Sequence, residues 1–383
     1  MFHFIQMPFF SIQQPINYYF RVVFTTMRHP LHHLILPVLL LFAFQPVAAQ
    51  QSWASPEVQQ MYDHAEEYLA MRDYADAIIT FKQAILLEPG KFILYKELGR
   101  TFYLSGNYDE AEQALEPLQG KPETDTTVYR LLASCEEARE EYKNALYTVN
   151  KGLLRFPGAA VLYFEKGKIY ALESKPDEAL AAWVKGISLE PTYSGNYLTA
   201  GFECLKENKV LWALLYGETY LNLPRDTTAD DSVKKMLFAG WKTMFDNIPP
   251  AKTPGYGNYK EAPPASSFYG AVTGIYSRLT PVVSDGASTE NLTMVRTRFL
   301  MDWFSSAGNR AHPFSLFTYQ DDLIRNGKFE IYNEWLFGKA ENEVEFTAWN
   351  KFHEGDITRF LNWKALHPFH PQKSDGYDPS ETE

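Results

Sequence analysis

The sequence predicts an all-α protein: a right-handed superhelical solenoid of five helix-turn-helix units, followed by a small Trp-rich helical domain. Three observations lead there. Small, aromatic and proline residues recur at a strict 34-residue step from Val58 to Thr227. An amphipathic stretch, Asp231–Asn247, follows the last unit. Beyond residue 268, three aromatic-x-x-Trp pairs recur at a 14-residue step.

The units begin at Val58, Phe92, Thr126, Ala160 and Ser194. Position 8 reads Ala65, Gly99, Ala133, Gly167 and Gly201, and position 20 reads Ala77, Ala111, Ala145, Ala179 and Ala213. Two small residues at that separation let a pair of antiparallel helices approach closely. Position 4 is Tyr95, Tyr129, Tyr163 and Tyr197 in the last four units, and such large residues fill the space between neighbouring pairs. Pro89, Pro157 and Pro191 stand at position 32, with Pro122 and Pro224 displaced by one. Proline cannot continue a helix interior, so it sets the turn before the next unit.

Unit length and small/large alternation together resemble the tetratricopeptide-repeat family over residues 58–227. The pattern departs at position 27, where Gly152, Gly186 and Tyr220 stand in place of the usual Ala. In such arrays each apolar face is covered only by its neighbours, so the end needs a cap. Asp231–Asn247 suits that task, reached through the polar insert Arg225–Asp230.

The resemblance implies a concave groove lined by positions 2, 5, 9 and 12 of the first helices. Carried onto this chain, those positions supply Lys96, Arg100, Tyr103, Arg130, Phe164, Lys168, Leu198 and Phe202 as candidate ligand contacts. The cations would hold a carboxylate or an acidic stretch of a peptide, because guanidinium matches carboxylate in a planar fork. Phe164, Leu198 and Phe202 would receive its apolar side chains. The competing reading is that these charges form a solvated helix face.

Residues 1–49 form a signal-peptide region. Leu34–Phe44 is an apolar core preceded by Arg28 and His29 and followed by Pro46-Val47-Ala48-Ala49. That core is shorter than the roughly 20 apolar residues that span a bilayer. Cleavage after Ala49 leaves a chain exported to the periplasm or cell envelope, and an uncleaved anchor is the alternative. Met27 is a second candidate start, which would leave residues 1–26 untranslated. No cysteine follows the apolar core, so the segment is not that of a lipoprotein. The formal charge is −11, and removing Arg21 and Arg28 with the leader makes it −13. A surface that acidic argues against nucleic acid as a partner.

Cys135 and Cys204 are the two cysteines. They fall two repeats apart, whereas a disulfide needs Cα atoms within about 7 Å. Both therefore read as small buried apolar side chains.

Residues 248–267 are rich in Pro and Gly and read as a linker. Residues 268–372 read as a helical domain, beginning with helices at Phe268–Leu279 and Asn291–Phe304. Its pairs are Tyr332/Trp335, Phe346/Trp349 and Phe360/Trp363. Residues three apart share a helix face, so each pair marks a short helix. Gly338 is placed to end the first, Asn342 to cap the second and Asp356 to cap the third. Trp335, Trp349 and Trp363 read first as core, with a sugar or peptide cleft as the sharper alternative. Asp321-Asp322 suits the start of a helix. The acidic tail, residues 373–383, reads as disordered.

The sequence holds no G-x-S-x-G, H-E-x-x-H, C-x-x-C or phosphate-binding glycine loop. His367 and His370 lie beside Pro368 and Pro371, which forbid helical ligand spacing. No cofactor or metal is expected. The implied function is a non-catalytic protein- or peptide-binding scaffold of the cell envelope, with possible peripheral association with a membrane complex. The alternative is an enzyme or carbohydrate-binding module in residues 268–372.

Overall fold

The computed structural model describes residues 53–248, 267–283, 286–306, 308–377 and 379–380, and among these only helices and turns occur. The leader and most of the Pro/Gly-rich linker lie outside the described residues. Five antiparallel helix pairs come first. They are α1 (Pro56–Ala70) with α2 (Tyr74–Leu87), α3 (Phe92–Leu104) with α4 (Tyr108–Leu115), and α5 (Thr126–Ala138) with α6 (Tyr142–Arg155). Then follow α7 (Ala160–Leu172) with α8 (Pro176–Leu189), and α9 (Ser194–Lys206) with α10 (Val210–Asn222). Helices α3, α5, α7 and α9 start at the residues that the 34-residue step marks. Helix α1 starts two residues early, at Pro56, because the Ser55 hydroxyl accepts from Val58 N and proline suits the first turn.

The expected small positions sit at the helix contacts: all five alanines at position 20 are at most 1% exposed. The glycines at position 27 have a local cause. A Cβ on Gly186 would collide with Nδ2 of Asn196, a buried side chain of the next unit that donates to Ala160 O at 3.2 Å. Glycine there admits a polar tie between units.

A second 34-residue regularity lies in the backbone. Arg72, Gly106, Glu140, Ser174 and Asn208 all have φ between 57° and 82°. Each ends a first helix in a Schellman turn, seen in the bonds Asp73 N to Tyr68 O, Asn107 N to Phe102 O and Lys209 N to Cys204 O. Four of the five positions bear side chains in a conformation that favours glycine.

Helix α11 (Asp230–Asn247) packs on α10. It is itself covered by the C-terminal helices. These are α12 (Phe268–Leu279), α13 (Thr289–Ser305), the single turn α14 (Gly308–Ala311), α15 (Ser315–Arg325) and α16 (Phe329–Asn333). A π turn (Glu334–Gly338) follows, then α17 (Lys339–Glu341), α18 (Glu343–Phe352) and α19 (Glu354–Leu366). One hydrophobic core runs without a break from Ala179 to Phe369. Every residue of α10 is buried in it. Trp212 of α10 meets Phe268 at 5.7 Å, and Tyr276 stacks on Phe299 at 4.2 Å.

Several local expectations are corrected. Gly338 does not end its helix, since its φ and ψ are helical and its missing Cβ admits the Phe346 ring. Asn342 does cap α18, accepting from Val344 N and Glu345 N. The third cap is His353, not Asp356, and Asp321 lies inside α15, where it pairs with Arg325. Residues 373–377 are ordered despite their acidity: the Asp375 carboxylate accepts from Ser315 N and Gln372 N, and Tyr377 stacks on Phe268 at 4.1 Å. Cys135 and Cys204 are free and buried, as expected.

The shared core holds an ion pair. The Arg296 guanidinium of α13 donates to the Glu218 carboxylate of α10 and to Asn333 Oδ1. Glu218 Oε1 also accepts from Gln320 Nε2 and Tyr332 Oη, each at 2.7 Å, and Asn222 donates to Tyr332 Oη at 2.6 Å. Trp241, Phe329, Tyr332 and Phe337 enclose the guanidinium, with ring centroids 5.2–5.8 Å away.

Position 11 also holds an outlier. Glu136 stands there, where Tyr68, Phe102, Tyr170 and Cys204 occupy the other units. It is buried, and Thr148 Oγ1 donates to it at 3.0 Å. Burial, reinforced by nearby Glu112 and Glu141, pushes its carboxyl up to about 7.

Three outcomes are expected. Gly106→Ala should cost about 1 kcal/mol in denaturant unfolding; a Cβ there meets nothing within 4 Å, so the loss is purely conformational. Arg296→Met should cost about 3–5 kcal/mol by orphaning Glu218, and adding Glu218→Gln should recover part of it. Glu136 binds its proton more tightly folded than unfolded, so stability should fall as pH rises from the ordinary Glu value to about 7. Glu136→Gln should flatten that decline in thermal melts and stabilise the chain at alkaline pH.

Candidate functional site

Consecutive first helices α3, α5, α7 and α9 touch one another, whereas consecutive second helices make no comparable contact. The first helices therefore line the inner, tighter face of the array. Positions 2, 5, 9 and 12 of these helices are half-buried rather than fully enclosed along most of that face.

The cations on it are engaged. Lys96 Nζ lies 2.9 Å from Asp125 Oδ2 at the head of the next unit. Arg100 Nη2 donates to both oxygens of Glu66, one unit earlier, at 2.9 Å each, and its Nε donates to Glu97. Lys168 Nζ reaches Glu165 at 2.8 Å and Glu137, one unit earlier, at 3.1 Å. Burial works against the Lys168 ammonium, yet Glu165 and Glu137 hold it above the usual lysine range. The same burial pushes the Glu137 carboxyl up, with Lys168 opposing. The residues named as a basic cluster are thus steps of a ladder in which charge of one unit meets opposite charge of its neighbour.

Tyr103 joins the ladder: burial pushes its phenol up, with Lys168 opposing and Glu165 and Glu137 adding to the rise. Arg130 lies within electrostatic reach of Tyr193. Beyond Lys168 the face turns apolar. Phe164 packs edge-on against Tyr193 at 5.9 Å, and Leu198, Phe202 and Leu205 lie half-buried on the main core.

Of the carboxylates, Glu66 and Glu137 stand at the groove positions 9 and 12 that the repeat spacing marks, whereas Glu97, Asp125 and Glu165 are not among the residues expected from the sequence. Glu66 and Arg100 both occupy position 9, one repeat apart.

The three tryptophans do not gather into one cleft. Trp335 packs with Tyr332 and Phe360, Trp349 with Phe346 and His353, and Trp363 with Tyr319 and His367. Among the described residues no group of three or more His, Cys, Asp or Glu is placed to hold a metal ion. None of the described helices is long and apolar enough to cross a membrane.

No curated protein matches the sequence. Residues 68–135 match the tetratricopeptide repeat family. Among solved structures, the chain is similar to TTC0263, a thermophilic TPR protein of Thermus thermophilus. The identity is 20%, over 47% of this chain and 98% of that one, with a TM-score of 0.40. It is similar to Pseudomonas aeruginosa pilF at 13% identity over 50% and 85%, TM-score 0.42. A tetratricopeptide repeat protein of Parabacteroides merdae is 13% identical over 66% and 92%, TM-score 0.39. The antiparallel helix pairs between Pro56 and Asn222 have the arrangement typical of tetratricopeptide-repeat solenoids, and residues 68–135 carry the family match.

Proposed function

We propose that the chain is a non-catalytic scaffold of the cell envelope that binds a protein or peptide segment along the inner face of its repeats. One observation carries this reading: a half-buried apolar end, Phe164, Leu198 and Phe202, continues directly into the charged ladder of Lys96, Arg100 and Lys168. Apolar side chains of a ligand would remove that end from water, at about 25 cal/mol per Å². The ladder would then orient the segment. A ligand carboxylate reaches Lys96 or Arg100 only by replacing Asp125 or Glu66, so the ladder favours a segment bearing both signs over a wholly acidic one. Export is supported by the leader-like stretch Leu34–Ala49.

The test is a cross-linked pull-down of the chain from residue 50 onward, from its own envelope fraction. A Phe164→Glu/Phe202→Glu variant and a Lys96→Glu/Arg100→Glu variant run beside it. The expected result is one protein captured by the native chain, lost with the first variant and weakened with the second. Capture unchanged in both variants would refute the groove as the working surface.

A further inference from the structure

A second charged cluster lies away from the groove, where the end of α10, the start of α11 and α19 converge on Trp335. Lys234 Nζ of α11 sits 4.2 Å from the Trp335 ring centroid, and Lys364 Nζ of α19 sits 5.3 Å from it. Trp335 is carried on the π turn, a backbone form that often marks functional positions. Arg225 adds a third cation, its guanidinium 5.4 Å from the Tyr220 ring.

The carboxylates in reach are already engaged. Asp230 holds Arg225 through two bonds of 2.8 and 2.6 Å, and Asp231 holds Lys339 at 2.6 Å. Asp226 is turned to Thr228 N and Oγ1. Among the described residues neither Lys234 nor Lys364 has a carboxylate at ion-pair distance. Lys364 donates only a long bond, 3.4 Å, to Leu221 O. Both side chains are half-buried, reachable from solvent yet partly stripped of it.

With Asp231 bound to Lys339, Asp230 to Arg225 and Asp226 to Thr228, Lys234 and Lys364 are the two cations of the cluster left without a carboxylate at ion-pair distance among the described residues. We infer that Lys234, Lys364 and Arg225 form a binding site for a doubly charged oxyanion of the phosphate or sulfate class, seated against Trp335. Lysine serves such ligands as a point charge, and guanidinium supplies directed donors beside it. Two ammonium groups without a direct carboxylate partner favour a dianion over chloride or a monocarboxylate.

The electrostatics agree. Burial brings both lysines down to about 8; Asp230 opposes this for each and Asp231 for Lys234, while repulsion from Arg225 adds to it for each, from Lys339 for Lys234 and from Lys234 for Lys364. An anion favours the charged ammonium, so binding above that pH must take up protons.

Sulfate is the probe, because it is a dianion throughout this range. Calorimetric titration of the full chain at about pH 8.5, in two buffers of different ionisation enthalpy, should show binding with net proton uptake. Sulfate should raise the melting temperature where sodium chloride of equal ionic strength does not. Lys234→Gln and Lys364→Gln should each weaken binding roughly tenfold. The double variant should melt no lower than the native chain without ligand, since it removes two unpaired charges, and should lose the sulfate-dependent shift. Lys235→Gln, at the exposed neighbouring position, should keep it. Equal melting shifts with sulfate and chloride, binding without proton uptake, or a shift that survives in the double variant would each overturn the site. Tighter binding of phenyl phosphate than of inorganic phosphate would assign the group to an ester, and equal binding to the free ion. Either agrees with the site.

Discussion

The constraint on which the C-terminal half depends is that a guanidinium 1% exposed must find its counter-charge inside the protein. Arg296 finds it in Glu218, which belongs to the last repeat, so α13 can dock only where α10 presents that carboxylate. Three donors converge on a single oxygen of Glu218, and aromatic faces close around the guanidinium. Burying such a pair gains little net stability over an apolar filling, but any docking that leaves either charge alone is strongly disfavoured. The network therefore sets where the C-terminal helices sit, while the area around it, from Trp212 to Phe369, supplies the adhesion.

This arrangement inverts the repeat's own rules. Position 29 is Leu86 in the first unit and Leu154 in the third, and these are 81% and 87% exposed. In the fifth unit the same position is Asn222, 5% exposed and hydrogen-bonded to Tyr332. Position 25 is exposed or half-buried in the earlier units, yet at Glu218 it lies within the core. Polarity at these two places does not mark surface; it marks the face that later helices cover. Helix α11 is accordingly both an end piece for the repeats and one wall of the core behind them.

The inner face is organised by a different arrangement of charge. Its ion pairs join neighbouring units, Glu66 to Arg100 and Glu137 to Lys168, and so tie the spacing of the units to the charge of the surface. Partly exposed pairs of this kind contribute modestly to stability and much to orientation. The apolar stretch from Phe164 to Phe202 lies at the end of the array that packs against the core holding the buried network. The lysines beside Trp335 are the opposite case, charges for which the fold supplies no carboxylate partner among the described residues.

Much was legible in the sequence because a repeat writes its geometry once per unit. The starts of α3, α5, α7 and α9, the close contacts at positions 8 and 20 and the free state of Cys135 and Cys204 follow from local spacing alone. So does the cap at Asn342, whose side chain answers to the next two or three residues. What the spacing could not show is anything that depends on residues distant in sequence. The pairing of Glu218 with Arg296, 78 residues apart, is of this kind. So are the order of residues 373–377 around Asp375, the passage of a helix through Gly338 and the approach of Lys364 to Lys234. A helix period records which side chains share a face, and only packing decides whether that face meets water, a carboxylate or another ring.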